Sequence, residues 1–234
     1  MTQLTGTARV NYIRGMFSRV APVYDLLNKV MTFGQDSHWR GFAVRMAELP
    51  PGKCILLDLG GGTGGLGIEA RRNSPKSIPV VSDFSMEMMR IGRKRPEAQF
   101  LQWSAADGLN LPYPDNVFEA VVSGFLLRNV ENKIQVLQEQ YRVVKPGCRV
   151  VILETTPPEK DLLRPLVYLY MHWIIPFLGR LIAGEGNAYH YLSNSSEAFL
   201  PAGELAAQMD IAGFQNIKYK KVNFGTIAVH WGEK

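Results

Sequence analysis

The chain predicts an α/β fold: a Rossmann-like, doubly wound, mostly parallel seven-stranded sheet with helices on both faces, N-terminal helices before it and an antiparallel C-terminal hairpin after it. Three observations carry this. Short apolar runs alternate with helix-period segments between Lys53 and Glu154. The first such run, KCILLDL, ends in an acid and opens into the glycine-rich turn GGGTGGLG. Two strand-like segments at the end, QNIKYKKVNF and GTIAVHWG, have only Gly225 to mark a turn between them.

Taken in order, the first fifty residues read as helical. MFSRVAPVYDLLNKVM places Phe17, Val20, Tyr24, Leu27 and Met31 at helical spacing, and DSHWRGFAVRMAEL continues to a stop at Pro50-Pro51-Gly52. KCILLDL then reads as a buried parallel strand. LGIEARRN is a helix, SIPVVSD a second strand, and SMEMMRIGRKR a helix with Ser85 as its N-cap. AQFLQW and NVFEAVVSG are the next two strands. ENKIQVLQEQYRVV is a helix ended by Lys145-Pro146-Gly147, and GCRVVILE is the fifth strand. LVYLYMHWIIPFLGRLI, residues 166–182, is strongly apolar but carries His172, Pro176 and Arg180, and it falls short of the ~20 residues of a spanning helix. It reads as a buried or interfacial helix pair. GEGNAYHYLSNSS reads as a loop, and PAGELAAQMDIAGF as a helix stopped by Gly213. The expected organisation is one domain over 1–234, with a helical cap over 1–50 and a helical and loop insertion over 160–200 on the substrate side.

Bulk composition bounds the function. A hydrophobic content of 46% and a charged content of 20% are those of an ordinary globular protein. The net charge of +5 is mild, and the densest basic patch, Arg90 to Arg95, falls where a helix ends and cations complement its dipole. No nucleic-acid partner is therefore expected. Cys54 and Cys148 each open an apparent strand, with no metal-ligand spacing, so neither a disulfide nor a metal is expected. The first residues lack a signal-type apolar core. The expected location is cytoplasmic, with peripheral contact at the inner face of the membrane left open.

The glycine turn carries the sharpest chemistry. Gly60, Gly62 and Gly65 fit G-x-G-x-x-G, as do Gly62, Gly64 and Gly67, and Asp83 stands about 20 residues on, where it can hold ribose hydroxyls. Nicotinamide enzymes and methyltransferases share that arrangement. Asp58 tips the choice. A carboxylate two residues before the first glycine suits the cationic amine and sulfonium of S-adenosylmethionine and repels a pyrophosphate. Asp107, in the loop after the third strand, can accept from an adenine amino group, and the terminal hairpin fits the same class.

Longer stretches point further. MFSRVAPVYDLLN, DLGGGTGGL, LPYPDNVFEAVVSGFLLRNV, EQYRVVKPGCRVVILE, NAYHYLSNSSEAF and AGFQNIKYKKVNFGTIAVHWGEK together cover nearly the whole chain. In them the chain resembles the quinone-biosynthesis C-methyltransferases that act on demethylmenaquinol and polyprenyl-benzoquinols. The resemblance implies a class I S-adenosylmethionine-dependent methyltransferase. It implies cofactor contacts at Thr63, Asp83, Asp107 and Gly108 and near Gly124, and a substrate cavity at Arg128, Asn129 and Tyr24. With the glycine turn, the expected cofactor set is Asp58, Gly60, Gly62, Thr63, Asp83, Phe84, Asp107, Gly108 and Gly124. The chain departs from the family at Gly65, usually an acid, at Gly61, commonly alanine, and after Phe125, where a glycine often follows.

The expected reaction is C-methylation of a prenylated quinol, demethylmenaquinol first. A 2-methoxy-6-polyprenyl-1,4-benzoquinol and a small phenolic substrate are the alternatives. Such a transfer needs alignment, exclusion of water and a base. The expected catalytic set is Arg128, Asn129, Tyr24 and His190, with His172 a further base candidate and His230 structural. Arg128 stays protonated, so with Asn129 it polarises a phenolate or orients water. Tyr24 and Asp25 sit on a helix positioned to close over the cofactor. Segment 166–182 is expected to wall a prenyl tunnel or rest on a membrane, because an isoprenoid needs an apolar route. A homodimer is a further open expectation.

Overall fold

The computed structural model of the protein describes residues 6–157, 164–184 and 186–234. Seven strands, β1 (Cys54–Leu59), β2 (Ser77–Asp83), β3 (Gln102–Ala105), β4 (Phe118–Gly124), β5 (Val144–Thr155), β6 (Gln215–Val222) and β7 (Ile227–Glu233), form one sheet in the order β3-β2-β1-β4-β5-β7-β6. The first five run parallel, and β7 is antiparallel to both β5 and β6. The strand order reverses between β1 and β4, and ligands of such sheets bind outside the carboxyl ends at that switch.

The central strands are apolar on both sides because both faces are covered. On one face Leu57, Val121 and Ile152 pack with Val136 and Leu137 of α6 (Lys133–Val143) and Leu205 and Met209 of α10 (Ala202–Ile211). On the other, Leu56, Val122 and Leu153 meet Trp39, Ala43 and Val44 of α3 (Gln35–Met46) and Leu66 and Ala70 of α4 (Gly65–Asn73). The period-2 alternation of the strands thus sorts their residues between two cores. Ser85 caps α5 (Met86–Arg93) by accepting from the Met88 amide.

A third core stands apart from the sheet. Met16 and Val20 of α1 (Gly6–Val20) and Leu27 and Met31 of α2 (Tyr24–Met31) pack against Ile175 of α8 (Ile175–Ala183) and Ala188 and Tyr189 of α9 (Gly186–Glu197).

Several local expectations change. A 3-10 turn at Ala21–Val23 breaks the first helical stretch, because Pro22 offers no amide to continue the ladder. The segment GEGNAYHYLSNSS is mostly helix α9, not loop. Its glycines, serines and asparagines are poor helix formers, but Ala188, Tyr189, Ser193 and Ser196 bury one face, and burial overrides propensity. Lys145-Pro146-Gly147 lies inside β5 as an irregularity in its pairing with β4, instead of before the strand. The third strand begins later than AQFLQW, after a 3-10 turn at Pro96–Ala98. The apolar segment runs from α7 (Arg164–Leu169) through a π-helical turn, Tyr170–Ile174, into α8. Pro176 stands at the start of α8, where it would break regular α pairing, and the π turn absorbs that break. Among the described residues no helix is long and apolar enough to cross a membrane.

Candidate active site

Two adjoining cavities open at the switch point. The first lies on the carboxyl ends of β1, β2 and β4. Its wall includes Asp58, Gly60, Gly62, Thr63, Asp83 and Phe84, together with Gly124. Gly60 and Gly62 take φ of 65° and 57°, values that favour glycine. The Gly60 amide donates to the Ser82 carbonyl at 2.7 Å, and the Gly62 amide to Asp83 Oδ2 at 2.8 Å. The turn is therefore tied to β2 by its own backbone.

The two strand-end acids are buried. Asp83 also accepts from the Ser85 amide at 2.7 Å, and burial raises its carboxyl pKa despite these bonds. Asp58 is fully buried, and its Oδ2 accepts from the Gly67 amide at 2.8 Å. Burial pushes its pKa up to about 7, opposed by the Gly67 bond and by Arg40. Its Oδ1 has no hydrogen-bond partner. A buried orphan acceptor is costly unless a ligand completes it, and a cationic amine or sulfonium does so. The site therefore fits S-adenosylmethionine.

The cap reaches into this turn. Thr63 Oγ1 donates to Asp25 Oδ1 at 2.8 Å, and Arg95 pairs with Asp25 Oδ2 at 2.9 Å. Asp107 and Gly108, in the loop that follows β3, are not among the residues lining this cavity. Asp107 is exposed and accepts from the Leu109 amide at 3.0 Å, while Gly108 faces Val136 and Leu59.

The second cavity holds about 430 Å³ and is lined mainly by apolar side chains of α1, α2, α3, α9 and the π turn. Phe17, Tyr24, Arg40, Phe125 and Asn129 line both cavities, so they form the wall between them. Tyr24 packs edge-on to Phe17 with ring centres 6.2 Å apart. Phe125 holds a φ of 57°, an uncommon conformation for a bulky residue, where the chain leaves β4.

Arg128 lines the larger cavity beside Asn129. Its Nη1 donates to Glu154 Oε1 at 2.6 Å, and its guanidinium lies 5.0 Å from the Phe125 ring centre. Glu154 is fully buried and also accepts the Thr155 amide at 2.8 Å. Asn129 donates to the Phe125 carbonyl at 3.0 Å and accepts from the Tyr191 hydroxyl at 3.1 Å. Arg128 and Asn129 are thus each held in one orientation by their partners. His190 lies on α9 between two lining tyrosines, but its side chain is outside the described residues. His172 bonds Glu197 at 3.0 Å and does not line the cavity. His230 is buried, meets the Ala202 carbonyl at 2.9 Å and has its pKa lowered to about 4 by burial, which is a structural environment. Among the described residues no three potential ligands gather to hold a metal.

Sequence reasoning missed Glu154, Asp36 and Arg40. Glu154 ends a buried strand in an acid, the signal that marked Asp58 and Asp83, so it was legible in kind. Arg40 stands beside one departure: a Cβ on Gly65 would fall 1.5 Å from Arg40 Nη1, so a larger residue there would displace that guanidinium.

Solved structures share the fold. A possible histamine N-methyltransferase from Thermotoga maritima is 19% identical with a TM-score of 0.65, the match covering 94% of this chain and 98% of that one. The [4+2]-cyclase SpnF is 17% identical with a TM-score of 0.69, over 95% and 94% of the two chains. A cyclase on the same fold shows that architecture alone does not fix the reaction. Sequence relatives are closer. The ubiquinone/menaquinone biosynthesis C-methyltransferase UbiE of Desulfotalea psychrophila is 46% identical over 95% of this chain and 90% of its own length. The demethylmenaquinone methyltransferase of Thermus thermophilus is 41% identical over 94% and 100%. Residues 4–234 match one family, and with the paired cavities this places the chain in it: it belongs to the ubiE/COQ5 methyltransferase family.

Proposed function

We propose that the protein C-methylates the ring of a prenylated quinol, demethylmenaquinol first, with S-adenosylmethionine as methyl donor. The observation that carries this is the shared wall: a polar cleft with buried acids meets a cavity of about 430 Å³ with mostly apolar walls at five common residues. When bound, the cofactor supplies an electrophilic methyl group. Asp58 offers its orphan oxygen to the cationic end and Asp83 a carboxylate to the ribose. Thr63 and the glycine turn hold the same ligand, and Phe17 and Tyr24 cover it from the cap. Arg128, fixed by Glu154, donates to one ring oxygen, and Asn129 is held beside it by Tyr191. The apolar walls exclude water and take the isoprenoid. The experiment is turnover with a long-chain and a truncated demethylnaphthoquinol, with a demethylated benzoquinol as the second arm. Methylation of the benzoquinol alone would reassign the ring class.

The cap and segment 166–182 form the substrate side, and the outer face of that segment meets a lipid surface. Tyr170, Met171 and Ile175 line the cavity, while Leu169, Trp173, Phe177 and Leu181 are 50%, 69%, 65% and 71% exposed at four-residue spacing. An apolar stripe with a tryptophan on the back of the substrate helix suits a bilayer interface, where the quinol itself resides. Trp173→Ser with Phe177→Ser is expected to abolish co-sedimentation with anionic vesicles and to leave the melting temperature unchanged within a degree or two. Retained sedimentation would remove the lipid contact. A dimer whose contact hides Trp173 would put a second copy there instead.

A further inference from the structure

Among the described residues, the Arg128 side of the cavity offers no proton acceptor free to act, because Glu154 is fully buried and bonded to Arg128 and Thr155. Among the described lining residues the one remaining carboxylate is Asp36, in the first turn of α3. The helix dipole accounts for an acid in a first turn. It does not account for an acid facing a mostly apolar cavity, where desolvation is costly.

The hydrogen bonds around Asp36 leave it available. Thr32 Oγ1 has one proton, and it lies 2.8 Å from the Asn28 carbonyl but 3.3 Å from Asp36 Oδ1. The hydroxyl proton therefore goes to the carbonyl, and Oδ1 keeps its lone pairs. Arg40 Nη2 stands 3.4 Å from Oδ2, an ion pair longer than a good hydrogen bond. Arg40 follows Asp36 by four residues, about 6 Å along the helix, and lines both cavities. The acid thus sits on the quinol side of the wall and the guanidinium in the wall itself.

We propose that Asp36 is the general base that takes the quinol's hydroxyl proton, with Arg40 holding the oxyanion beside the cofactor cleft. This rests on the quinol reading above. The O–H bond breaks to Asp36, and the ring carbon, made nucleophilic by the oxyanion, forms a bond to the methyl group. The electrons of the broken carbon–sulfur bond stay on sulfur. The methylated carbon then loses its hydrogen as a proton to water, and Asp36 returns its own proton to the ring oxygen. One proton is released per turnover.

The charged and titratable groups that share the cavity with Asp36, among the described residues, are Arg40 on its own helix, Tyr24 on α2, Arg128 after β4, Tyr170 on the π turn, and Tyr189 and Tyr191 on α9.

The test uses the full chain saturated with S-adenosylhomocysteine and 2-naphthol as a one-hydroxyl mimic of the substrate ring. Excited naphthol is a strong acid, so a carboxylate at its hydroxyl gives naphtholate emission. The wild type and Asp36→Glu should show that band, and Asp36→Asn should show neutral naphthol emission with binding within threefold. In turnover, Asp36→Asn should lose about 100-fold in kcat at pH 7 and regain it as pH approaches about 10, where a phenol ionises unaided. A naphtholate band that survives in Asp36→Asn overturns the proposal. So does a kcat loss equal at every pH, which marks a structural role. A wild type that shows the band but methylates no quinol overturns the quinol reading while leaving Asp36 as the acceptor for a phenol.

Discussion

The two cavities are built by different means. The cofactor cleft is made of backbone: glycines in left-handed conformations, amides donating to Asp58 and Asp83, and strand ends fixed by the sheet. The larger cavity is made of side chains from α1, α2, α3, α9 and the π turn, and its core is separate from the sheet. The glycine turn of the cleft is therefore local in sequence, and the cavity is assembled from distant segments. The cleft serves a ligand common to many enzymes on this fold. On the reading proposed above, the cavity sets the substrate of this S-adenosylmethionine-dependent C-methyltransferase.

The largest expected effect separates them from the cavity side. Glu154→Ala leaves the nearly buried Arg128 charge without its partner, which costs about 3–5 kcal/mol. Urea unfolding should show that loss, while the folded fraction binds S-adenosylhomocysteine within threefold of wild type. A loss under about 1 kcal/mol would mean that Arg128 finds water or another partner, and the cavity would be softer than described.

The reverse cut is next. Asp83→Ala frees the Gly62 and Ser85 amides and removes the ribose carboxylate. S-adenosylhomocysteine affinity should fall about 100-fold, roughly 2.7 kcal/mol, with naphthol binding to the larger cavity kept. Loss of both by the same factor in calorimetric titrations would show one coupled site instead of two.

These differences decide what the sequence reveals. The glycine turn and the acids Asp58 and Asp83 are legible because strand, turn and helix are contiguous there. Glu154 has the same strand-end signature, but its role depends on Arg128, 26 residues earlier in the chain. Helix α9 reads as loop by composition, since only packing against α1, α2 and α8 explains it. Arg128 and Asn129 stand out by family resemblance; no local pattern marks them. Asp107 follows β3 as a cofactor acid would, and its exposed carboxylate accepts from the Leu109 amide of its own loop.

A smaller effect concerns pH. The folded pKa of Asp58, about 7, lies above its ordinary value near 4, so the folded state binds this proton more tightly. The resulting stability is complete below about pH 4 and is lost as pH rises to about 7. His230, lowered to about 4, acts oppositely: its contribution is present above its ordinary value of 6.5 and is lost as pH falls toward 4. Asp58→Asn should therefore raise the melting temperature of the ligand-free protein at pH 8 by a few degrees, yet weaken S-adenosylhomocysteine binding. A variant that gains neither stability nor loses affinity would show that Asp58 is not the strained, ligand-awaiting acid of the cleft.

On the proposed reading, these cavities together methylate the ring carbon of a prenylated quinol. The most direct measurement is transfer of tritium from methyl-labelled S-adenosylmethionine to chemically reduced demethylmenaquinol, beside a demethylated benzoquinol. Carbon-bound label is expected in the naphthoquinol product. No label in either lipid, from protein that binds S-adenosylhomocysteine tightly, would contradict it and leave a methyltransferase of some other substrate.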